Sequence, residues 1–316
     1  MSTGTTEYIA PEARDTVAAF RAAGATSHHL LSLEDARASY EQVCAANAVE
    51  VPGPVERDWL ALGPRQVAVR RYRRPDTGRG GAAVVFIHGG GWVMGSVQTH
   101  DAVCAYLAHA ARVTVFSVDY RLAPEHRYPA AENDCADVLE AVLVGAHSLG
   151  VDPRRVILAG DSAGGQIAAN LARVPQAGSL AGLALVYPVT DLTASGASHR
   201  EVAGFPLVTE TVGWFIDQYL PAEADRASDA VSPGPAPVWG WHAPTFIATV
   251  HNDPLRSEGI AYAEALAEAG VLDTHIHYEG HHHGLLTNAG VIPTGRELLD
   301  EIAAFITRRT SKDNTR

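Results

Sequence analysis

Lysine is almost missing from this 316-residue chain. Lys312 is the only one, and every other cation in the Lys+Arg total of 24 is arginine. A lysine Schiff base, a Ser–Lys dyad and a phosphate-loop lysine each need that side chain in a folded site, so these chemistries are excluded. Cysteine is scarce too: Cys44, Cys104 and Cys135 are odd in number and far apart. They spell neither a disulfide framework nor a zinc knuckle. No uninterrupted apolar run reaches the roughly 18 residues of a membrane span, and residues 1–7 carry no basic-then-apolar leader pattern. The expectation is a soluble, cytoplasmic protein. Positive charge is also in deficit. The formal net charge of −12 argues against nucleic acid or an anionic membrane as partner.

What is present is globular. Hydrophobic residues make up 47% and charged residues 19%, enough for one large α/β domain or two ordinary ones. No internal repeat or low-complexity block is visible. Residues 1–50 read as helices, one around Ala18–Ala22 and one from Leu33 capped by Ser32 with Asp35 as partner. Trp59–Leu62 and Val67–Arg70 fit a hairpin closed at Gly63-Pro64. Short apolar runs then alternate with helical segments. Strands are expected at 83–87, 113–118, 156–159, 183–186, 245–250 and 275–278. Helices are expected at 99–110, 130–149, 163–173, 257–269 and 295–308. This alternation predicts a mostly parallel sheet with helices on both faces. Residues 191–242 break the rhythm, with one helix at 209–220 and a Pro/Gly-rich stretch at 232–240. An insertion there, paired with residues 1–50, is expected to form a cap over the sheet.

The strongest chemical signal is Gly160-Asp161-Ser162-Ala163-Gly164, a G-x-S-x-G pattern between an apolar strand and a helix. Small residues suit a strained turn that presents a serine at a helix N-terminus. The second is His88-Gly89-Gly90-Gly91-Trp92 after the strand at 83–87. Three glycines free the backbone to aim N–H groups at an oxyanion, together with Ala163. A serine nucleophile needs a base, and the base an orienting acid. Downstream of Ser162, Asp253 and His283 each lie just past a strand, where open α/β sheets place their sites. Glu258 is the alternative acid, though it begins a helix and suits that helix's N-terminus. His281, His282 and His283 are adjacent and cannot all face one ion, so no metal is expected. His28 and His29 read as a solvated pair. Asp161 reads as a stabiliser of the turn, and Arg121 and His126 as parts of a structural loop.

The chain resembles the hormone-sensitive-lipase-like carboxylesterases of the α/β-hydrolase superfamily. The likeness rests on 88–92 and 160–165, on Asp119-Tyr120-Arg121-Leu122-Ala123-Pro124-Glu125-His126, on Tyr187-Pro188, on Asp253-Pro254-Leu255-Arg256 with Glu258-Gly259, and on His283-Gly284. These motifs stand in family order, and the likeness covers about residues 60 to 310. The resemblance implies an α/β-hydrolase fold over 51–316, with cap segments at 1–50 and about 192–242. It implies Ser162 as nucleophile, Asp253 as acid and His283 as base, with Gly89, Gly90, Gly91 and Ala163 as oxyanion hole. Two departures flank the base: His281 replaces a usually apolar residue, and Leu285 an aromatic one.

The reading is a serine carboxylesterase, cofactor-free, acting through an acyl-enzyme. The resemblance implies short- to medium-chain esters because a cap narrows the site. Trp92, Trp214, Phe215 and Leu285 are the candidates for substrate contact. A homodimer is plausible from the resemblance. The alternatives on the same scaffold are a tailoring deacylase or acyltransferase, a dehydratase-type lyase and a non-catalytic receptor. Retention of all three triad residues argues against the last.

Overall fold

The computed structural model describes residues 8–22, 26–78, 80–173, 180–202, 206–222, 224–238 and 242–311. The readings on residues 1–7, on Lys312 and on the end of the 232–240 stretch lie outside these. The chain starts with α1 (Arg14–Ala22) and α2 (Leu33–Ala46). Ser32 caps α2: its Oγ accepts the Asp35 N–H at 3.1 Å and donates to the Asp35 carboxylate at 2.7 Å, satisfying one orphan donor of the first turn.

The hairpin β1 (Glu56–Leu62) and β2 (Val67–Arg73) follows, antiparallel from Glu56↔Arg73 to Leu62↔Val67. Then come β3 (Gly81–Ile87), α3 (Asp101–Ala110), β4 (Thr114–Val118), α4 (Ala130–Val144), α5 (Ala146–Leu149), β5 (Val151–Asp161), α6 (Ser162–Leu171) and β6 (Gly182–Val186). The chain continues through α7 (Ser198–Glu201), α8 (Thr209–Tyr219), β7 (Thr245–Asn252), α9 (Arg256–Glu268), β8 (Leu272–His282) and α10 (Pro293–Arg309). The eight strands among the described residues form one sheet in the order β1-β2-β4-β3-β5-β6-β7-β8. Pairing is antiparallel as far as β2–β4 and parallel from β4 to β8.

The central strands are apolar on both faces because helices cover both. On β3, Ala83, Val85 and Ile87 enter one core cluster with side chains of α4, α6 and α9, while Ala82, Val84 and Phe86 enter the other with α3 and α10. This is the signature of buried parallel strands. The segment expected as one helix over 130–149 is two. Gly145 divides them, with φ −86° and ψ 7°, and glycine is a poor helix former. β5 and β8 run longer than their apolar cores predict, because charged residues such as Arg154 and Glu279 occupy their ends. Cys44, Cys104 and Cys135 are unpaired and buried. Burial pushes the Cys44 thiol up to about 12 and raises the other two as well. Among the described residues no helix is long and apolar enough to cross a membrane.

Candidate active site

β5 ends at Asp161 and α6 begins at Ser162, with no residue between them. Ser162 itself has φ +53°, the left-handed conformation that costs a side-chain-bearing residue energy. The flanking glycines make the turn possible. A methyl group on Gly164 would collide with the Ile87 carbonyl oxygen of β3, and one on Gly160 with the Gly164 carbonyl oxygen. The serine hydroxyl therefore sits at the N-terminus of α6, where the helix dipole and unpaired N–H groups favour negative charge.

The structure brings Ser162 of the β5–α6 junction together with Asp253, just past β7, and His283, just past β8. His283 Nε2 lies 2.9 Å from Ser162 Oγ, and His283 Nδ1 lies 2.8 Å from Asp253 Oδ2. The Leu255 N–H donates to Asp253 Oδ1 at 2.9 Å. That carboxylate is 1% exposed, whereas the His283 ring is 12% exposed, so the ring alone reaches towards the cavity. The Tyr187 ring lies against His283 at 4.4 Å between centroids, and its hydroxyl accepts the Leu286 N–H at 3.2 Å. These contacts hold the loop that carries the imidazole.

Glycines 89–91, expected together with Ala163 as the oxyanion hole, differ in their surroundings. The Gly89 N–H donates to Asp161 Oδ1 at 2.8 Å and is thereby engaged. Gly90 (φ +119°) and Gly91 (φ +62°) turn the chain so that both line the cavity beside Ser162. Ala163 adds an orphan N–H of the first helical turn. Asp161 thus ties the glycine loop to the serine turn. Burial raises its pKa, but His100 Nε2 at 3.1 Å and the Gly89 N–H outweigh that and leave it lowered. Beneath the loop, His88 donates from Nδ1 to the Gly89 carbonyl, stacks on Tyr120 at 4.2 Å and accepts the Tyr120 hydroxyl at its own carbonyl.

A cavity of about 1020 Å³, mouth included, opens over Ser162. Its walls come from segments far apart in the chain: Phe20 of α1, Tyr40 of α2 and Phe215 of α8 among them. His28 also lines it. The expected solvated pair is instead packed: His28 lies edge-on to Tyr40 at 6.2 Å, and His29 Nδ1 lies 2.8 Å from the Thr211 hydroxyl. Burial lowers the pKa of His28. Periodicity in residues 1–50 shows helices, but nothing in it marks His28 or Tyr40 as cavity residues.

Of the four expected substrate contacts, Trp92 and Phe215 line the cavity and Trp214 and Leu285 do not. Trp214 is one residue from Phe215 on α8, so it faces about 100° away. Leu285 is fully buried in the core cluster shared with α10. Trp92 is locked by stacking on Tyr219 at 4.3 Å and by donating from Nε1 to Gln166 at 2.9 Å. The histidines flanking the base also diverge. His281 Nε2 lies 3.2 Å from Glu12, and His282 donates from Nδ1 to the His283 carbonyl at 2.9 Å. Three adjacent rings thus have three separate destinations. Neither departure from the family pattern, His281 or Leu285, reaches the cavity wall.

Glu258 is not beside His283. It accepts the N–H groups of Thr190 and Asp191 at 2.8 and 3.2 Å and faces His199 at 3.3 Å. It braces the loop after β6 rather than its own helix terminus. Arg121 forks onto Asp134 at 2.7 and 2.8 Å, which makes it a loop anchor.

With this geometry in hand, likeness to known proteins is informative. Residues 84–287 match a family model described as alpha/beta hydrolase fold. The chain is 37% identical over 255 residues to an ethyl acetate hydrolase of Pseudomonas putida, covering 77% of this chain and 80% of the relative. It is 37% identical over 295 residues to the carboxylic ester hydrolase LipN of Mycobacterium tuberculosis, covering 86% and 76%. Among solved structures, an esterase of Pyrobaculum calidifontis superimposes with a TM-score of 0.85 at 34% identity, covering 95% of this chain and 98% of that one. An ester hydrolase from the metagenome of Lake Arreo, complexed with a derivative of bipyridine phosphonate, gives 0.88 at 32% identity with the same coverage.

Proposed function

This chain belongs to the α/β-hydrolase fold family, and from that premise we propose that it is a carboxylic ester hydrolase whose chemistry runs through Ser162, His283 and Asp253. One observation carries the assignment of roles: the continuous hydrogen-bond chain from Ser162 Oγ through both ring nitrogens of His283 to Asp253 Oδ2. His283 takes the serine proton as Oγ attacks the ester carbonyl. Asp253 fixes the tautomer and stabilises the imidazolium. The developing oxyanion meets the N–H groups of Gly90, Gly91 and Ala163, an interaction worth roughly 3–4 kcal/mol per donor in comparable sites. The alkoxide leaves with the proton from His283. Water activated by the same ring then cleaves the acyl-enzyme. The residues present do this without a cofactor.

The substrate class in this reading is a short- to medium-chain ester. α1, α2 and α8 wall the cavity and act as the cap, which supports a limited acyl length. The name of the Pseudomonas relative, an ethyl acetate hydrolase, supports a small ester as well. A cytoplasmic setting fits three unpaired thiols. A homodimer is carried in the same reading, and sedimentation of the purified chain measures it.

The deciding experiment is a rate panel of p-nitrophenyl esters from acetate to palmitate, wild type beside Ser162→Ala. Turnover should peak at short chains and vanish in the variant while circular dichroism is unchanged. A variant that keeps wild-type rates, or a maximum at palmitate, would overturn the reading.

A further inference from the structure

Away from the cavity, the C-terminal ends of β7 and β8 bring together three side chains that the ester chemistry does not use. His251 of β7 and His277 and Glu279 of β8 place one ligand-type atom each within 4.8 Å of one another. His251 Nδ1 lies 2.6 Å from Glu279 Oε1, and His277 Nε2 lies 3.4 Å from Glu279 Oε2. Two ligands of a tetrahedral zinc ion bound at about 2.0–2.2 Å sit about 3.3 Å apart, so the set is close to ligating geometry. We propose that His251, His277 and Glu279 form a binding site for one zinc-class divalent transition-metal ion, with water completing the coordination.

Three features support this. The first is donor chemistry. Two imidazoles and one carboxylate suit a borderline ion, whereas calcium or magnesium would call for an oxygen shell. The second is the support behind His277. Its Nδ1 lies 2.8 Å from the Thr249 hydroxyl, which also lies 2.9 Å from His275 Nε2. If the Thr249 hydroxyl donates to His275, it accepts from His277 Nδ1–H. The His277 Nε2 lone pair then points at the cluster, the arrangement typical of a metal-bound imidazole. The third is the backbone. β7 and β8 pair at Val250↔Tyr278 and again at Asn252↔His282, so residues 279–281 oppose His251 alone, with Gly280 at φ +73°. The ladder is interrupted at the cluster, and bulges of this kind re-aim side chains. An ion there would clip the two strands where backbone pairing lapses. One nearby cation opposes binding: Arg256 donates to the His251 carbonyl at 2.7 Å. Its guanidinium is paired with Glu201 at 2.8 Å.

The test uses full-length, untagged, chelator-treated protein titrated with zinc chloride by calorimetry. One saturable site per chain is expected, with a rise in the thermal midpoint on adding zinc. His277→Ala and Glu279→Gln should each abolish both effects. Thr249→Val should weaken binding by roughly 10- to 100-fold, and His147→Ala, an exposed histidine elsewhere, should leave it unchanged. Glu279 is exposed, so Glu279→Gln carries the test if the His277 variant fails to fold. Absence of saturable binding to the wild type would overturn the proposal. So would zinc binding that persists in Glu279→Gln with wild-type affinity, since the ion would then sit elsewhere.

Discussion

Asp161 Oδ1 accepts the Gly89 N–H at 2.8 Å, so the residue preceding the serine also sets the position of the glycine loop. Removing the acceptor leaves a buried donor unpaired, at a cost of about 1–3 kcal/mol, and lets Gly90 and Gly91 drift. Asp161→Ala should therefore lower kcat by roughly 10²–10³, the range for losing an oxyanion donor, with KM little changed. Asp161→Asn keeps an acceptor oxygen and should lose far less. Steady-state kinetics on p-nitrophenyl acetate separates the two.

Asp253 holds the His283 tautomer from a site that solvent does not reach. Asp253→Asn should reduce kcat by a factor on the order of 10⁴. Residues acting as one unit are non-additive. The double variant Ser162→Ala with His283→Ala should therefore lose no more than Ser162→Ala alone. A rate product equal to both single losses multiplied would contradict the hydrogen-bonded unit.

Phe215 stands directly over Gly91: a methyl group on that glycine would collide with the ring. Truncating Phe215 should widen the cavity beside Gly91. In Phe215→Ala the ratio of kcat/KM for octanoate over acetate should rise about tenfold or more. The neighbouring Trp214→Ala, whose ring does not line the cavity, should leave that ratio near its wild-type value.

Burial, reinforced by nearby His100, pushes the pKa of His88 down to about 3, against about 6.5 in an unfolded chain. Below pH 6.5 the unfolded chain takes up this proton first. Stability therefore falls as pH drops from about 6.5 towards 3, by up to about 1.4 kcal/mol per pH unit from this group. The buried carboxyls Glu132 and Glu258, raised by burial, act in the opposite sense. The comparison with His88→Asn isolates the histidine. Urea unfolding between about pH 4 and 7.5 should show a shallower acid slope in the variant.

The sheet and the serine turn were legible in the sequence for a shared reason. β3, β4, β6, β7 and the second half of β5 are buried on both faces, so their apolar runs are continuous. The glycines around Ser162 are there because neighbouring backbones leave no room for a side chain. The engagement of Gly89 was not legible. Which of three consecutive glycines aims its N–H at a substrate depends on the φ values of +119° and +62° at the next two and on a carboxylate from another strand. The packing of His28 and His29 is not legible because it comes from Tyr40 of α2 and from Thr211 of α8, the latter far along the chain. Trp214 and Leu285 have the right composition and the wrong azimuth. The His251–His277–Glu279 group was invisible for the same reason as any cross-strand cluster. It exists only once the register of β7 on β8 is known.

The burial of Cys44, Cys104 and Cys135 has a practical consequence. With every thiol sealed and kept protonated, the folded protein behaves towards alkylating reagents as if it had no cysteine. A single cysteine introduced on an exposed face, for instance in place of Val144 (82% exposed), would be the one site to accept a maleimide dye or a resin. The native background needs no prior removal.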